Sequence, residues 1–494
     1  MNAAPPYEIV IGLEVHVQLL TETKLFCRCN TKFGAAPNTQ TCPVCIGLPG
    51  ALPVMNERAM ELSLRTAIAL NCAIPGFTKW DRKNYFYPDL PKGYQISQFD
   101  LPMSEHGYLE IHSTKGEFEP KRVGIIRAHL EEDAGKSMHD EAAGKADSRI
   151  DLNRTGTPLL EIVSEPDMRS PQEARAYLSE LKLLLTYLGV SDCNMEEGSL
   201  RVDANINLHI AEGDETIPTP IVEIKNVNSF RNVERALEYE ARRQFQVWRE
   251  LHQRMGDAPK TTRGWDDQTQ QTKAQREKEE SSDYRYFPDP DLAPVLVPPA
   301  RVDAIKAALG QSPRQLRERL QSTYDIDPYD ADVIVNQGRA VVNYFESVAG
   351  GSGDGKRAAN WIQQDVLRTL KERSIEIEEF PMAAARLVEL LQEIDSGKLT
   401  TTRAKDVFQH MLETNQTAAE AMADLGIEAV AGSEMTDLCQ QLLDDNPRIV
   451  ADVRGGKQQA VGALIGQAKK RNPNVNPGEI RRICLELIDA MPDE

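Results

Sequence analysis

The chain lacks any apolar run of eighteen or more residues, the length that a membrane-spanning helix requires. Residues 1–7 show neither the pattern of a secretory leader nor an arginine-rich mitochondrial one, so we expect a cytoplasmic protein. Positive charge is also scarce, because 76 acidic residues outnumber 57 Lys and Arg and give a formal net charge of −19. This balance argues against indiscriminate nucleic-acid binding, although a specific RNA partner could still meet a local basic patch.

Cysteine is sparse, but four of the eight cysteines lie close together near the N-terminus. Cys27 and Cys29 form one pair, and Cys42 and Cys45 form a second pair twelve residues later. Two close pairs of thiolates can converge tetrahedrally on Zn²⁺, whereas disulfides are disfavoured in a cytoplasmic chain. We therefore predict a structural zinc knuckle and interpret the remaining cysteines as small core or surface residues.

Polar and apolar residues alternate along three stretches, 7–19, 200–208 and 220–228, as in strands with one buried face. Asp and Asn form strands poorly, and a merely solvated face would more often use Thr, Lys or Glu. We interpret the polar faces as ligand or substrate contacts, with a water-facing strand as the alternative. Their charged and amide residues are Glu14, His16, Arg201, Asp203, Asn205, Glu223 and Lys225.

Three consecutive carboxylates, Glu131, Glu132 and Asp133, follow another β-rich run and are closed by Lys136. Acidic triplets are often solvated loops, which is the alternative here. So many acids on polar strand faces would repel one another unless divalent cations lay among them. Hard cations prefer carboxylate oxygens, and a neighbouring His can bind a water or a phosphate oxygen. The pattern therefore predicts a Mg²⁺ or Mn²⁺ site that also binds phosphate.

Two further regions combine positive charge with other signals. The loop 81–89 can bind phosphates through Arg82 and Lys83 and stack a base or sugar on Tyr85, or simply pack. The segment from Arg454 to Arg482 contains seven basic residues and one acidic residue. This basic segment is either a solvated helix face or an RNA contact. In contrast, the glycine-rich stretch 350–356 is followed by Arg357, where a phosphate-binding loop has Ser or Thr, and is predicted to join two helices.

Seven motifs in order resemble one family, the B subunit of the tRNA-dependent amidotransferase (GatB), over essentially the whole chain. They are Gly12–His16, Asp81–Asp89, Tyr94–Gln98, His129–Lys136, Asp151–Arg154, Glu161–Pro166 and Asp283–Pro290. One departure is Gln275, where relatives usually have Met. The resemblance implies an α+β fold. An antiparallel-sheet cradle similar to the glutamine synthetase class (1–295) would precede an all-α domain (296–401) and a small helical, tRNA-binding tail (402–494).

The resemblance also implies the chemistry. The family phosphorylates the side-chain carboxyl of Glu-tRNA(Gln) or Asp-tRNA(Asn) with ATP, and ammonia then displaces the phosphate. The chain would work in a heterotrimer with a C subunit and with an A subunit, the glutaminase that supplies the ammonia. Alternatives are a free-standing carboxylate-amine ligase acting on a small acid and a tRNA-binding scaffold without chemistry of its own.

Site residues follow from the matched motifs and the polar faces. Metal and phosphate binding is expected at Glu14, His16, Glu131 and Glu132. ATP or substrate contacts are expected at Arg82, Lys83, Tyr85, Lys136, Arg201, Asp203, Asn205, Glu223 and Lys225. Contacts to tRNA are expected at Lys469, Lys470, Arg471, Arg481 and Arg482.

Overall fold

The structure is a computed structural model that describes residues 7–139, 148–275, 283–427, 432–472, 475 and 477–491. The chain divides into two compact units, Met1–Leu316 and Arg317–Glu494, and each is described by itself. The domain boundaries expected after residues 295 and 401 stay predictions. No helix within the described ranges combines the length and the apolar character needed to cross a membrane.

Strands dominate the first unit. They are β1 (Tyr7–Gln18), β2 (Phe77–Thr78), β3 (Asp81–Asn84), β4 (Tyr94–Ser97), β5 (Ser104–Ile111), β6 (Lys121–Glu132), β7 (Lys136–His139), β8 (Ser148–Asp151), β9 (Pro158–Ser164), β10 (Leu200–Glu212), β11 (Glu215–Pro218), β12 (Val222–Lys225), β13 (Thr261–Asp266), β14 (Gln271–Ala274), β15 (Phe287–Pro288) and β16 (Val295–Leu296). Its helices are α1 (Glu57–Ala69), α2 (Pro171–Tyr187), α3 (Phe230–Leu251) and α4 (Pro299–Ala308).

Nine of these strands form one large sheet in the order β14-β13-β12-β10-β1-β9-β6-β5, with β11 also paired to β10. Neighbours are antiparallel except β12 and β13, which run parallel. Smaller sheets are β15-β3-β4, β16-β2 and β7-β8. A mixed α and β fold built on a mainly antiparallel sheet is therefore confirmed.

One face of the large sheet is apolar because strand side chains alternate. Along β1, Ile11, Leu13, Val15 and Val17 are buried, and the matching positions of β10 join the same core. Helices α1, α2 and α3 pack on this face. The opposite face is left to the polar side chains, as the alternation predicted.

The helices begin where capping residues occur in the sequence. Asn56 caps α1, and its side chain accepts hydrogen bonds from two backbone N–H groups of the first turn. Ser170 caps α2, with Pro171 in the first turn. Helix α3 ends at Leu251, because His252 adopts a left-handed conformation. The polar segment after α3 contains the hairpin of β13 and β14.

The described part of the second unit is helical. Its helices are α5 (Pro313–Tyr324, which contains the unit boundary), α6 (Pro328–Asn336), α7 (Arg339–Ser352), α8 (Gly355–Trp361), α9 (Leu367–Arg373), α10 (Ala384–Asp395), α11 (Thr401–Thr414), α12 (Ala418–Asp424), α13 (Gly432–Asp444), α14 (Pro447–Arg454), α15 (Val461–Arg471) and α16 (Pro477–Asp489). The last four surround their own apolar core, which includes Leu442, Leu464 and Ile480.

The glycine-rich stretch 350–356 lies at a junction between two helices. Helix α7 continues to Ser352, the left-handed Gly353 ends it, and α8 begins at Gly355. A phosphate-binding loop follows a strand, whereas this stretch follows a helix. The interpretation as an inter-helix connection, not a nucleotide site, agrees with this placement.

Candidate active site

Strand register brings the predicted polar residues together around β1. Glu14 pairs with Asp203 of β10, and His16 pairs with Arg201 of β10 and with Glu161 of β9. On the far side of β9, Glu161 pairs with His129 of β6. Residues far apart in sequence therefore share one row on the polar face.

The first cluster consists of His16, Glu131 and Glu161. The His16 Nε2 atom lies 3.8 Å from a Glu131 carboxylate oxygen and 3.5 Å from a Glu161 carboxylate oxygen. One ligand atom from each residue lies within 4.8 Å of the other two, which is a spacing that a single cation can bridge. His129 lies behind the cluster, with its Nε2 atom 3.5 Å from Glu161.

Burial and mutual repulsion control the protonation of this cluster. Glu131 is 3% exposed, and burial together with the charge of Glu161 raises its pKa to about 7. Burial opposes a charge on His16, but the nearby Glu161 and Glu131 outweigh it and raise the His16 pKa. Burial lowers the pKa of His129 to about 4, so this imidazole is neutral at pH 7. A divalent cation could replace the proton that Glu131 holds.

The second cluster consists of Glu14, Asp203 and Glu223, whose ligand atoms also lie within 4.8 Å of one another. Lysines already compensate its charge. Lys225 Nζ contacts Asp203 and lies 3.6 Å from Glu223, and Lys260 Nζ lies 3.2 Å from Glu223. In addition, Asn205 donates a hydrogen bond of 2.8 Å to Glu14. This cluster therefore needs a cation less than the first one does.

The neighbouring carboxylates Glu131 and Glu132 point to opposite sides of β6. Glu132 is buried in an ion pair with Lys92 and accepts a hydrogen bond of 3.1 Å from the backbone N–H of Ile96. Because its side chain leaves the polar face, Glu132 belongs to neither carboxylate cluster. Of the two carboxylates expected to bind metal, only Glu131 lies in a carboxylate cluster.

Arg201 is held beside the first cluster by a buried carboxylate. Its guanidinium donates to Asp133 at 2.9 Å, and Gln18 donates to the same carboxylate at 2.8 Å. Burial works against ionisation of Asp133, but Arg201 and Arg154 outweigh it and lower the Asp133 pKa. Asp133 therefore favours its ionised form and holds the guanidinium of Arg201 beside His16.

Arg82 and Lys83 point in different directions from β3. Arg82 forms ion pairs of 2.7 Å and 3.0 Å with Asp289 and Asp291, so its guanidinium is already engaged. Lys83 Nζ lies 4.9 Å from the ring centroid of Tyr284 and 5.9 Å from that of Tyr85. Burial disfavours its charge, but the carboxylate of Glu131 and other nearby groups raise its pKa. Of these two cations, Lys83 is the one that faces the first cluster.

Tyr85 lies beside Lys83, whereas Lys136 lies away from the polar face. The hydroxyl of Tyr85 donates to Gln95 at 3.2 Å, and its ring packs edge-on against Tyr284. Lys136 is exposed on the ribbon of β7 and β8 and not on the polar face of the large sheet. The site is therefore more compact than the sequence motifs suggested.

The four N-terminal cysteines converge as predicted. Their sulfur atoms, in Cys27, Cys29, Cys42 and Cys45, lie within 4.8 Å of one another. Tetrahedral zinc with Zn–S bonds of about 2.3 Å needs sulfurs about 3.8 Å apart, so modest contraction around an ion completes the site. The donor set fits zinc, and the identity of the metal stays a prediction.

The basic residues of the tail lie on two helices of the second unit. Lys469, Lys470 and Arg471 end α15, and Arg481 and Arg482 lie on α16, all of them exposed. Arg471 contacts Asp445, and Arg482 contacts Glu486 at 2.8 Å. Their part in binding RNA stays a prediction.

The sequence alone assigns no role to three residues that lie in or beside the first cluster. The sequence neighbours of Glu161 show only that its side chain lies either on the polar face or in a buried ion pair. Its pairing with His16 of β1 places it in the first cluster. His129 alternates with Glu131 along β6, a signal that could have identified it. Tyr284 comes from a segment 200 residues after Lys83, and only the fold joins them.

Residues 9–303 match the family model described as the GatB/GatE catalytic domain, and residues 343–492 match the GatB domain. The chain belongs to the GatB family. It is 63% identical, over 98% of both chains, to the aspartyl/glutamyl-tRNA(Asn/Gln) amidotransferase B subunit of Rhodopirellula baltica. The proteins of that name from Thermoanaerobacter pseudethanolicus (45%; 97% of this chain, 99% of the relative) and Thermodesulfovibrio yellowstonii (44%; 98% and 99%) are also similar. Both carboxylate clusters lie within the GatB/GatE match.

Proposed function

We propose that the chain is the ligase subunit that phosphorylates the side-chain carboxyl of Glu-tRNA(Gln), Asp-tRNA(Asn) or both, and then amidates it. Its family membership and the names of its relatives support this reaction class. One observation carries the assignment of residues. A buried group of His16, Glu131 and Glu161, which no lysine neutralises by direct contact in the described structure, lies within the catalytic-domain match.

His16, Glu131 and Glu161 would hold a divalent cation, with Glu14 two residues away on β1. When bound, Mg²⁺ or Mn²⁺ neutralises phosphate charge and polarises the transferring phosphoryl group of ATP. Glu132 would instead stabilise β6 from its other face through the ion pair with Lys92. The sequence alone predicts metal binding by one or both of these neighbouring carboxylates, and this proposal assigns it to Glu131.

Fixed positive charges would bind the anions of the reaction. Arg201, anchored by Asp133, and Lys83, flanked by Tyr85 and Tyr284, border the first cluster. Positioned cations stabilise charge on phosphoryl oxygens without reorganising during the reaction. The substrate carboxylate attacks the γ-phosphorus of ATP and ADP leaves. Ammonia then attacks the acyl carbon and phosphate leaves, so the protein supplies no nucleophile.

The remaining expectations complete the proposal. The mainly antiparallel sheet would form an open cradle similar to the glutamine synthetase class. The ammonia would come from the A subunit of a heterotrimer that also contains a C subunit. Exposed basic residues of α15 and α16 would bind the tRNA backbone. Free-standing ligase chemistry on a small acid is disfavoured, because the chain matches its relatives over the tail as well.

The test uses the chain reconstituted with its partner subunits. ATP hydrolysis and amide formation are followed on Glu-tRNA(Gln) and Asp-tRNA(Asn), with ammonium replacing glutamine. The wild type should hydrolyse ATP only when misacylated tRNA is present. Glu131→Gln should lose both activities while tRNA still binds. Sustained ATP turnover without tRNA, or full activity of Glu131→Gln, would contradict the proposal.

Glu132→Gln is the matched control, because it makes the same chemical change on the other face of β6. We expect it to lower thermal stability, since it leaves the Lys92 ammonium buried without its partner, a cost of about 3–5 kcal/mol for such pairs. Folded Glu132→Gln protein should retain most of its ATP turnover. Equal loss in both variants with intact folding would show that the face of β6 does not matter.

A further inference from the structure

Lys24 is buried completely beneath the cysteine knuckle, with 0% of its surface exposed. Its ammonium makes three contacts. It donates to the carbonyl oxygens of Gln40 at 2.7 Å and Leu152 at 3.4 Å, and it lies 3.7 Å from the sulfur of Cys45. A lysine in this position is unusual, because lysines are almost never fully buried unless they are paired.

Only one of these three contacts can carry a compensating charge. Carbonyl oxygens satisfy the hydrogen-bond donors of the ammonium but leave its charge unbalanced. Moving an ammonium into a protein interior still costs several kcal/mol per ion after relaxation. The sulfur of Cys45 can be a thiolate, and as a metal ligand it is always one.

The need for compensation is mutual. Four thiolates around one Zn²⁺ carry a net charge of −2, and an enclosed ammonium halves it. We propose that Lys24 is an internal counter-ion of the zinc knuckle: a positioning residue whose ammonium stabilises the metal-bound thiolate of Cys45. Groups that hydrogen-bond to metal ligands set their orientation and strengthen metal binding.

The surrounding contacts tie the same residue to both sides of the knuckle. The backbone N–H of Lys24 donates to the carbonyl of Cys29 at 3.0 Å. On the other side, the backbone N–H of Gln40 donates to Asn153 at 2.8 Å, and Leu152 accepts from the ammonium. Lys24 thus joins the first cysteine pair, the second pair and the loop 152–156 that precedes β9.

The test measures zinc affinity of the full chain by competition with a chromophoric chelator. Lys24→Met keeps an unbranched side chain only one atom shorter but removes its charge and its hydrogen bonds. We expect its zinc affinity to fall by about 10–100-fold, the usual effect of losing a partner of a metal ligand. Lys32→Met, at an exposed lysine of the same knuckle, should stay within about twofold of the wild type.

Three results would overturn the proposal: unchanged zinc affinity in Lys24→Met, equal losses in both variants, or a wild-type chain that binds no zinc. If Lys24→Met folds only when zinc is added, the chelator competition is replaced by a folding titration. The quantity measured is then the zinc concentration at half-maximal folding, followed by circular dichroism. A midpoint equal to that of metal-depleted wild type would then overturn it. Because the readout is metal binding, failure here is distinguishable from failure of the proposed amidation.

Discussion

Two carboxylate clusters lie on the same face of one sheet, yet their charges are compensated differently. The charge of His16, Glu131 and Glu161 is compensated by protons, because burial and the charge of Glu161 raise the pKa of Glu131, and the two carboxylates outweigh burial and raise the pKa of His16. Glu14, Asp203 and Glu223 are compensated by the ammonium groups of Lys225 and Lys260. An acidic cluster by itself therefore does not predict a metal site. The useful criterion for a metal site is whether ammonium groups of the protein already neutralise the carboxylates of the cluster.

The largest effect should separate the two clusters directly. Glu161→Gln removes a metal ligand, and we expect metal-dependent ATP turnover to fall by more than about 100-fold, since even partners of metal ligands cost about 10–100-fold. Asp203→Asn, the matched change in the second cluster, should cost about tenfold, because Lys225 loses its ion pair but the first cluster stays intact. The measurement is turnover across a Mg²⁺ titration. A larger loss in Asp203→Asn would reverse the assignment.

The pH dependence of metal binding should also distinguish the clusters. Because the Glu131 pKa is raised to about 7, metal binding below pH 7 must displace a proton. Each proton displaced from Glu131 or His16 contributes up to about a tenfold rise in Mn²⁺ affinity per pH unit, and the rise should level off once both groups are deprotonated. Titration calorimetry in two buffers of different ionisation enthalpy measures the proton release. Affinity that is flat with pH would place the ion elsewhere.

The raised pKa of Glu131 has the opposite effect on the stability of the metal-free protein, which should fall with rising pH, whereas metal affinity rises. Between the ordinary pKa of a glutamate and about 7, the folded state binds a proton at Glu131 that the unfolded state lacks. This contribution to the free energy of unfolding is therefore present at low pH and is lost as the pH rises through about 7. Chemical denaturation of Glu131→Gln should lack this component.

Removing a lysine should make the second cluster resemble the first. Lys225→Met leaves Asp203 without its lysine partner and Glu223 with Lys260 alone, so we expect a second Mn²⁺ to bind about tenfold more tightly than in the wild type. Electron paramagnetic resonance counts free and bound Mn²⁺. Lys273→Met, at an exposed lysine of β14, is the control and should change nothing. An unchanged stoichiometry in Lys225→Met would show that charge compensation does not control this site.

The smallest effect should come from the aromatic neighbours of Lys83. Tyr284→Leu removes the ring that lies 4.9 Å from the Lys83 ammonium, and kcat/KM for ATP should fall about three- to tenfold. Tyr284→Phe keeps the ring and should restore most of the activity. If Tyr284→Phe is as impaired as Tyr284→Leu, the hydroxyl matters and the cation–π contact does not.

Alternation along β1, β10 and β12 was enough to predict which of their side chains share the polar face. In the structure, the side chains of Asn56 and Ser170 cap two helices at their first turns. The pairing of strands was not predictable, because register depends on contacts between residues more than 100 positions apart. Glu161 is the clearest example, since its neighbours alone could not tell an ion-pair partner from a ligand.

Local sequence also could not tell which of two adjacent residues acts. Glu131 and Glu132 are identical side chains, and the position of β6 between a core and an open face separates them. Arg82 and Lys83 pose the same problem, because Asp289 and Asp291, which engage Arg82, come from a segment about 200 residues away. Such choices are tertiary, and only the fold resolves them.

The most direct test locates the ion. Crystals of the protein with Mn²⁺ and a non-hydrolysable ATP analogue, measured at the manganese absorption edge, give the metal position as an anomalous peak. We predict the strongest peak of the polar face among His16, Glu131 and Glu161. A peak only among Glu14, Asp203 and Glu223, with Lys225 displaced, would contradict this assignment.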